Sequence, residues 1–290
     1  MNPQNNTRAF SISELTISIN SPYEVKLSKE FEPFIHDGHR DVSVTLREVE
    51  ELKKPTGKPL FTDYAFSAYR DSEGFYRVFH DRKEGDRPYA VGRVLGHGTR
   101  EEIEYLTGDQ QFFSETANCF SHIALEEILL HFDRLILHAA LVETQWGGLL
   151  FSGPPGIGKS TQAALWEREE GAVQLNGDRP ILSRDSNGWT AWGSPYAGSS
   201  RCFVNRGAPI RAVVMLEQGT TCRLTRLPVA AAFQRLYAQT TVNAWNPAYV
   251  QRVCTLLTRL AEEIPIYHLI CTPDRRAVEI LRDRLQQGGG

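Results

Sequence analysis

The stretch Gly153-Pro-Pro-Gly-Ile-Gly-Lys-Ser160, followed by Thr161, has the spacing G-x-x-x-x-G-K-[ST] of a phosphate-binding P-loop. Residues 146–152 before it are predicted to form a short buried strand, and residues 160–170 after it a helix without Gly or Pro. A strand, a glycine-rich turn and a helix direct backbone N–H groups toward an anion at the positive end of the helix dipole. The sequence therefore predicts a nucleotide-binding α/β core.

Two side chains of this motif have predicted chemical roles. Lys159 is expected to reach the β- and γ-phosphates, and the Ser160 hydroxyl is expected to bind Mg²⁺. ATP and Mg²⁺ are therefore the predicted cofactors. The alternative is a Gly/Pro-rich turn that holds a lysine by chance, and both flanking elements argue against it. The predicted nucleotide-binding residues are Gly153, Pro154, Pro155, Gly156, Ile157, Gly158, Lys159, Ser160 and Thr161.

The composition is that of an ordinary globular protein, because 41 % of the 290 residues are hydrophobic, 23 % are charged and the formal net charge is −3. This charge gives no indication of nucleic-acid binding, and no apolar stretch approaches the ~18 residues that span a bilayer. The polar N-terminus lacks the order of a signal peptide, and the five cysteines are scattered without a C-x-x-C motif. We therefore expect a cytoplasmic protein that binds neither nucleic acid nor membrane, and homo-oligomerisation stays open.

Two regions of different character are predicted along the chain. Residues 1–110 contain alternating runs at 10–19, 41–46 and 74–80 between turn sequences, which predicts an antiparallel β-rich N-terminal domain. Residues 111–290 are assigned to a nucleotide-binding catalytic domain of mixed α/β (α+β) class. Its further predicted strands are 135–142, 211–216 and 264–271, and its further predicted helices are 116–132, 229–238, 247–263 and 275–285.

A P-loop that catalyses phosphoryl transfer also needs a carboxylate, either to hold Mg²⁺ or to take a proton from the hydroxyl that accepts the phosphate. Asp178 is the leading candidate for this carboxylate. It lies in Leu175-Asn-Gly-Asp-Arg-Pro180, where a strand–loop–helix–strand unit would return it beside the phosphates. The alternative is an Asn-Gly-Asp turn without function. We predict that Asp178 is a metal ligand together with Ser160, and that the catalytic residues are Asp178, His138 and Lys159. The apolar neighbours of His138 would by themselves favour a hydrogen-bonded core histidine.

Three segments together resemble a known kinase family. They are His138-Ala-Ala-Leu-Val, FSGPPGIGKST around the P-loop, and the segment from Gly171 to Asp178. They are similar to the catalytic domain of HPr kinase/phosphorylase, whose fold is related to phosphoenolpyruvate carboxykinase, and the likeness covers roughly residues 110–285. The resemblance implies a P-loop kinase core in which His138 and Asp178 belong to the catalytic site. The β-rich N-terminal domain predicted above does not obviously resemble the regulatory domain of that family.

Further segments resemble a branch of HPr kinase-like proteins that occurs with peptide-modifying enzymes, including kinases that phosphorylate a serine of lasso-peptide precursors. These segments are Ala191-Trp-Gly-Ser-Pro-Tyr-Ala-Gly-Ser-Ser200, Asn205, the strand at 212–217, Trp245-Asn-Pro and Tyr267. The resemblance implies that the phosphate acceptor is a Ser or Thr hydroxyl of a peptide or small protein, for example a ribosomally made natural-product precursor.

The chain departs from the HPr kinase pattern at Gly177, because the family has two adjacent aspartates where this chain has Gly177-Asp178. The missing aspartate is the family's proposed proton acceptor, so either Asp178 performs both tasks or His138 assists it. Arg179 is a candidate for stabilising charge on the transferring group, or an ordinary surface arginine. The loop 193–201 is a candidate for closing over phosphate or acceptor, or a simple hairpin loop.

Three other functions stay open at this stage. The first is a nucleotide hydrolase or regulatory ATPase that releases free phosphate. The second is a carboxykinase-like enzyme, although the chain has no matching clusters for a carboxylate substrate or a second metal. The third is a nucleotide-gated module without phosphotransfer, in which residues 1–110 recruit a peptide. The long glycine-rich signature of bifunctional HPr kinases has no clear copy here, which argues against the reverse phosphorylase activity.

Overall fold

A computed structural model describes residues 6–53 and 55–287. The chain forms two compact units, the first reaching to Phe132 and including Ala244–Pro247, the second comprising Asp133–Asn243 and the residues from Ala248 onward. Each unit contains one β-sheet together with helices, so the protein belongs to the mixed α/β class that the sequence predicts. Within the described residues, no helix has both the length and the apolar character needed to cross a membrane.

The first unit is built on an eight-stranded sheet with the order β1-β2-β3-β8-β7-β6-β5-β4. Its strands are β1 (Asn6–Ile12), β2 (Leu15–Ser21), β3 (Val42–Val49), β4 (Phe61–Thr62), β5 (Phe66–Asp71), β6 (Gly74–Asp81), β7 (Arg87–Leu95) and β8 (Arg100–Leu106). Its α-helices are α1 (Thr116–His122) and α2 (Leu125–His131). Short 3-10 helices occur at Lys29–Phe34, Arg82–Glu84, Gly96–Gly98 and Gln110–Phe113.

The alternating run at 10–19 spans two strands, because it contains the hairpin of β1 and β2. Ser13 and Glu14 form its two-residue turn with φ angles of 51° and 65°, the left-handed conformation that the tightest hairpin turns require. The alternation of apolar residues changes phase at this turn, from Phe10 and Ile12 before it to Leu15, Ile17 and Ile19 after it, and this is its local signal in the sequence. Five of the seven strand pairs in this sheet are antiparallel, whereas β3 pairs parallel with both β2 and β8. The long connection between β2 and β3 permits this arrangement.

The single helix predicted at 116–132 is interrupted between α1 and α2. The backbone N–H of Ala124 donates to both carboxylate oxygens of the buried Glu101, at 3.0 Å each, and is therefore lost to the helical ladder. Phe120 packs against Phe10 and Phe31, with ring centroids 5.4 and 4.5 Å apart. These contacts explain why the first compact unit extends to Phe132, whereas the domain boundary after residue 110 stays a prediction.

The second unit contains a nine-stranded sheet whose main path is β12-β10-β11-β15-β14-β13-β9, with β17 beside β15 and β16 beside β17. Its strands are β9 (Arg134–Ile136), β10 (Ala139–Thr144), β11 (Gly147–Ser152), β12 (Val173–Asn176), β13 (Ile181–Asp185), β14 (Gly188–Trp192), β15 (Gly207–Gln218), β16 (Arg223–Arg226) and β17 (Ile266–Cys271). Its helices are α3 (Lys159–Glu170), α4 (Val229–Tyr237), α5 (Pro247–Glu263) and α6 (Arg275–Gln287), with a 3-10 turn at Gly198–Ser200.

The centre of this sheet positions the P-loop. Strands β11, β15 and β17 run parallel to one another, and the P-loop leaves the carboxyl end of β11. Helix α3 is anchored by Trp166, which is completely buried in one core cluster with Phe151, Val214 and Leu281. The predicted strands and helices of this region are confirmed with small shifts at their ends, except that 135–142 is divided into β9 and β10 with His138 between them.

Candidate functional site

The P-loop has a backbone that requires glycine at its key positions. Gly153, Gly156 and Gly158 have φ angles of 147°, 77° and 111°, which residues with side chains rarely adopt. A Cβ at Gly153 would also lie 3.2 Å from Ile157 Cγ2. The loop leads directly into α3, a helix of 12 residues. It therefore places unpaired N–H groups and the positive end of a helix dipole together, as an anion-binding site needs.

Lys159 begins this helix and is almost completely buried, with 8 % of the residue exposed. Its ammonium group lies 2.8 Å from His138 Nε2, 2.9 Å from the Gly153 carbonyl oxygen and 3.2 Å from that of Pro154. An ammonium has three donor hydrogens, so these three acceptors match its full capacity. Burial lowers the pKa of Lys159.

His138 connects Lys159 to Asp178. Its Nδ1 lies 3.0 Å from Asp178 Oδ1, while its Nε2 faces the ammonium. Because an ammonium only donates, Nε2 must accept, and the ring proton is therefore on Nδ1 and directed at the carboxylate. Burial, followed by the neighbouring Lys159 charge, lowers the pKa of His138, which favours this neutral ring. The sequence-predicted catalytic residues are thus brought together in one hydrogen-bonded chain.

The backbone of His138 is fixed from two sides. Its N–H donates to the Gln239 carbonyl at 2.8 Å, in the segment that follows α4. Its own carbonyl accepts a hydrogen bond from the Ser152 hydroxyl at 2.8 Å, at the end of β11. The backbone that carries the imidazole is therefore fixed relative to the strand that leads into the P-loop. The side chain is half-buried and contacts the site, rather than lying in the core as its apolar neighbours in the sequence would suggest.

Asn176, which the sequence analysis did not assign to the site, orients Asp178. It is completely buried at the end of β12, and its Oδ1 accepts the backbone N–H groups of Asp178 and Arg179 at 2.9 and 2.8 Å. Its Nδ2 donates to the Ser194 carbonyl at 3.1 Å. An Asn two residues before an Asp is a local signal for such a side-chain turn. The turn fixes the backbone that carries the carboxylate.

Ser194 lies in the candidate loop 193–201, but the sequence analysis assigned it no individual role. It is completely buried, and its hydroxyl donates to the Arg179 carbonyl at 2.7 Å. The Arg179 side chain is half-exposed, and its Nε lies 3.6 Å from Asp178 Oδ2. Ser194 thus supports the turn from the opposite side to Asn176. The bond joins residues distant in sequence, so no local pattern could have indicated it.

The loop that contains Ser194 also packs against Gly177, the position at which this chain departs from the HPr kinase pattern. A Cβ at Gly177 would lie 2.1 Å from Ser200 Oγ and 2.4 Å from Ser200 Cβ. A Cβ at Gly198 would in turn lie 2.9 Å from the Cβ of Asp178. The space that a first aspartate would need is therefore filled by the 3-10 turn at Gly198–Ser200, and only one of the two carboxylates fits.

This packing predicts that the effect of a substitution at Gly177 on stability depends on the side chain at position 200. Replacing Gly177 by Asp should lower the free energy of unfolding by about 1–3 kcal/mol, because overpacking forces the backbone or its neighbours to shift. Denaturant unfolding of the purified variant measures this effect. The double variant Gly177→Asp/Ser200→Gly removes the obstructing side chain and should recover most of the loss. Equal destabilisation with and without Ser200 would contradict the proposed close contact.

Ser160 and Thr161 lie exposed on the first turn of α3, outside the hydrogen-bonded chain. Ser160 and Asp178, the predicted metal ligands, supply a hydroxyl and a carboxylate, and oxygen donors of this kind suit Mg²⁺, which usually also keeps substrate phosphates and waters. In residues 6–53 and 55–287, no group of three or more His, Cys, Asp or Glu side chains could hold a metal ion by itself. Both donors are of the kind that Mg²⁺ binds, and the metal site stays a prediction.

Comparisons with known proteins add little to this geometry. No family model and no curated protein matches the chain. A solved structure is similar to part of it. This is the Hpr(Ser) kinase/phosphatase from Coxiella burnetii, with 15 % sequence identity and a TM-score of 0.32, over 53 % of this chain and 93 % of that chain. Such a low similarity assigns neither family nor activity, so the function has to be inferred from the site itself.

Proposed function

We propose that this protein is an ATP- and Mg²⁺-dependent phosphotransferase that transfers the γ-phosphoryl group to a hydroxyl. The observation that carries the proposal is the chain from Lys159 through His138 to Asp178, with contacts of 2.8 and 3.0 Å, directly at a P-loop. The His138 ring thus has Lys159, a cation that can bind phosphates, on one side and Asp178, a carboxylate that can accept a proton, on the other. Phosphoryl transfer needs mainly such positioning and charge neutralisation.

Each residue of the chain has a distinct task in this proposal. Lys159 exchanges one of its backbone carbonyl acceptors for a phosphate oxygen and neutralises charge on the β- and γ-phosphates, and the backbone N–H groups at the start of α3 bind phosphate oxygens. His138, neutral and protonated on Nδ1, holds the Asp178 carboxylate in place through its N–H. Asp178 accepts the proton of the attacking hydroxyl as the new oxygen–phosphorus bond forms and the bond to the leaving phosphate breaks.

The Ser160 hydroxyl and the Asp178 carboxylate would hold Mg²⁺, whose charge, when the ion is bound, helps to neutralise the transferring phosphates. Asp178 therefore has both tasks in this chain, since Gly177 supplies no second carboxylate. The half-exposed Arg179, whose Nε lies 3.6 Å from Asp178 Oδ2, is placed to stabilise further negative charge.

The proposed acceptor is a Ser or Thr hydroxyl of a peptide or small protein, such as a ribosomally made precursor in the cytoplasm. The support is the turn at Gly198–Ser200, which is exposed and packs directly against Asp178. The glycine lets the turn itself lie close to Asp178, so an acceptor chain bound along the exposed side of the turn would be near the carboxylate. The resemblance of the Ala191–Ser200 stretch to peptide-modifying kinases agrees with this acceptor class.

The test is intact-mass spectrometry of peptides encoded beside this gene, incubated with the protein, ATP and Mg²⁺. We expect one peptide to gain about 80 Da, the mass of one phosphate on a hydroxyl residue. Radiolabelled γ-phosphate measures the fate of the label in the same reaction. Label released only as free phosphate would favour an ATPase, and ATP-dependent peptide binding without turnover would favour a nucleotide-gated binding module.

A further inference from the structure

Two cysteines come together at the carboxyl end of β17, a place that the proposed reaction does not use. Cys271 is the last residue of β17, and Cys222 immediately precedes β16, which pairs antiparallel with β17. In that pairing Arg223 lies opposite Ile270, so the next position along the same register places Cys222 opposite Cys271. Both are free thiols. The fold therefore brings two thiols that are distant in sequence to facing positions on neighbouring strands.

The two side chains also lie on the same face of the sheet. Residues two apart in a strand share a face, and Leu224 and Leu269 form the pair two positions further along. All four side chains belong to or pack against the core cluster around Trp166. Facing residues of an antiparallel pair have Cβ atoms about 4.5–5.5 Å apart, and a disulfide needs about 3.5–4.5 Å. A small adjustment therefore separates these thiols from a bond.

The two thiols differ in how easily an oxidant reaches and attacks them. Cys222 is half-buried, and its Sγ lies 3.6 Å from Thr272 Oγ1. Cys271 is only 9 % exposed, and burial, followed by the nearby Cys222 thiol and Asp274, raises its pKa to about 11. A thiol must lose its proton before it attacks an oxidant. Cys222 therefore reacts first, and Cys271 is the neighbour that responds to it.

We propose that Cys222 and Cys271 are an oxidation-sensitive pair that hydrogen peroxide converts into an intrachain disulfide. The Cys222 thiolate attacks one peroxide oxygen, the O–O bond breaks, and the other oxygen leaves as hydroxide, which takes up the proton that Cys222 lost. Cys222 is then a sulfenic acid. The Cys271 sulfur attacks the Cys222 sulfur, the S–O bond breaks, and the oxygen leaves as water with the Cys271 proton. Two thiols and one peroxide thus give one disulfide and two waters.

The disulfide acts on the P-loop helix through Gln162. This buried residue lies on α3 close after Lys159, and its Nε2 donates to Cys271 Sγ at 3.4 Å. An S–S bond of about 2.05 Å directs that sulfur toward Cys222, so Gln162 loses its acceptor and the start of α3 is disturbed. We expect the disulfide form to bind ATP about fivefold more weakly or worse. This consequence rests on the proposed function, whereas formation of the disulfide does not.

The first test follows the thiols by mass spectrometry. Wild-type protein treated with hydrogen peroxide should lose about 2 Da and two titratable thiols, both restored by dithiothreitol, and peptide mapping should join Cys222 to Cys271. Cys222→Ser should abolish the link, and Cys271→Ala should leave a sulfenic acid on Cys222 that dimedone captures. Cys254→Ser, which removes another half-buried free thiol on α5, is the matched control and should keep the link. Disulfides between protomers, or oxidation of Cys222 that never joins it to Cys271, would overturn the proposal.

The second test measures ATP affinity by calorimetry before and after peroxide treatment. Reduced wild type and Cys222→Ser should bind ATP equally, and peroxide should weaken binding only in the wild type. Equal affinities of the reduced and disulfide forms would overturn the effect through Gln162. If neither form binds ATP, the P-loop function itself is wrong, while the disulfide is decided by the first test alone.

Discussion

Replacing Asp178 by asparagine is expected to reduce turnover at least about 100-fold, the scale of a lost catalytic base. Asparagine keeps an oxygen that can accept the N–H of His138 Nδ1, which lies 3.0 Å from the carboxylate, so the geometry of the chain is preserved. It cannot accept a proton from the attacking hydroxyl, and it lacks the charge that the proposed Mg²⁺ site needs. Initial rates of ATP-dependent peptide phosphorylation, or of phosphate release, measure the loss.

Asp185→Asn is the matched control for this variant. Asp185 lies exposed at the end of β13, and its Oδ1 accepts the N–H of Asn187 at 2.7 Å, a bond that asparagine can also make. Its rate should equal that of the wild type. Near-normal turnover of a folded Asp178→Asn protein would transfer the proton-accepting role to His138, and His138→Gln would then be the variant to measure.

Replacing Lys159 by methionine is expected to weaken binding of ATP by about 100-fold, because a charge-assisted contact to phosphate is lost. Methionine keeps most of the aliphatic stem, which matters because Lys159 is 8 % exposed and packs inside the loop. The same substitution removes the donor to His138 Nε2, so the ring could then take either tautomer. Calorimetry with ATP and Mg²⁺ gives the affinity, and a thermal unfolding curve of the variant reports any loss of fold.

Arg168→Met tests whether loss of any positive charge on α3 has this effect. Arg168 lies on the same helix, and its Nε donates to Glu169 at 2.7 Å on the exposed surface. We expect wild-type ATP affinity for this variant. A Lys159→Met protein that is folded and still binds ATP with wild-type affinity would mean that the phosphates lie elsewhere.

The P-loop and most elements of the second unit could be predicted because their signals are local. The glycines at positive φ, the buried strand and the helix formers are adjacent in sequence, and α5 begins at a proline and ends as its pattern indicates. The break between α1 and α2 could not be predicted, because the carboxylate that binds the Ala124 N–H belongs to Glu101 on strand β8, distant in sequence from the helices. Ser194 reaches the site in the same way, through a bond to a distant backbone carbonyl.

The role of His138 could not be predicted from its neighbours in the sequence. Its spacing ahead of the P-loop suggests a role only by resemblance, since an imidazole among apolar residues is otherwise a core residue. The structure gives it two partners, Lys159 and Asp178, that are distant from it in sequence, and β10 brings it beside both. Which nitrogen carries the proton follows only from knowing both partners, so the protonation state of the site is a property of the fold.

The contact between Gly177 and Ser200 restricts how this site can change over generations. A mutation that introduces an aspartate at Gly177 places a Cβ 2.1 Å from Ser200 Oγ, so on this background the aspartate lowers stability before it can contribute to catalysis. An aspartate at position 177 would therefore need Ser200 to be replaced by a smaller residue, or the turn at Gly198–Ser200 to change its conformation, either beforehand or at the same time. We therefore expect positions 177 and 200 to vary together among descendants of this chain, with order of substitution deciding which catalytic arrangements can be reached.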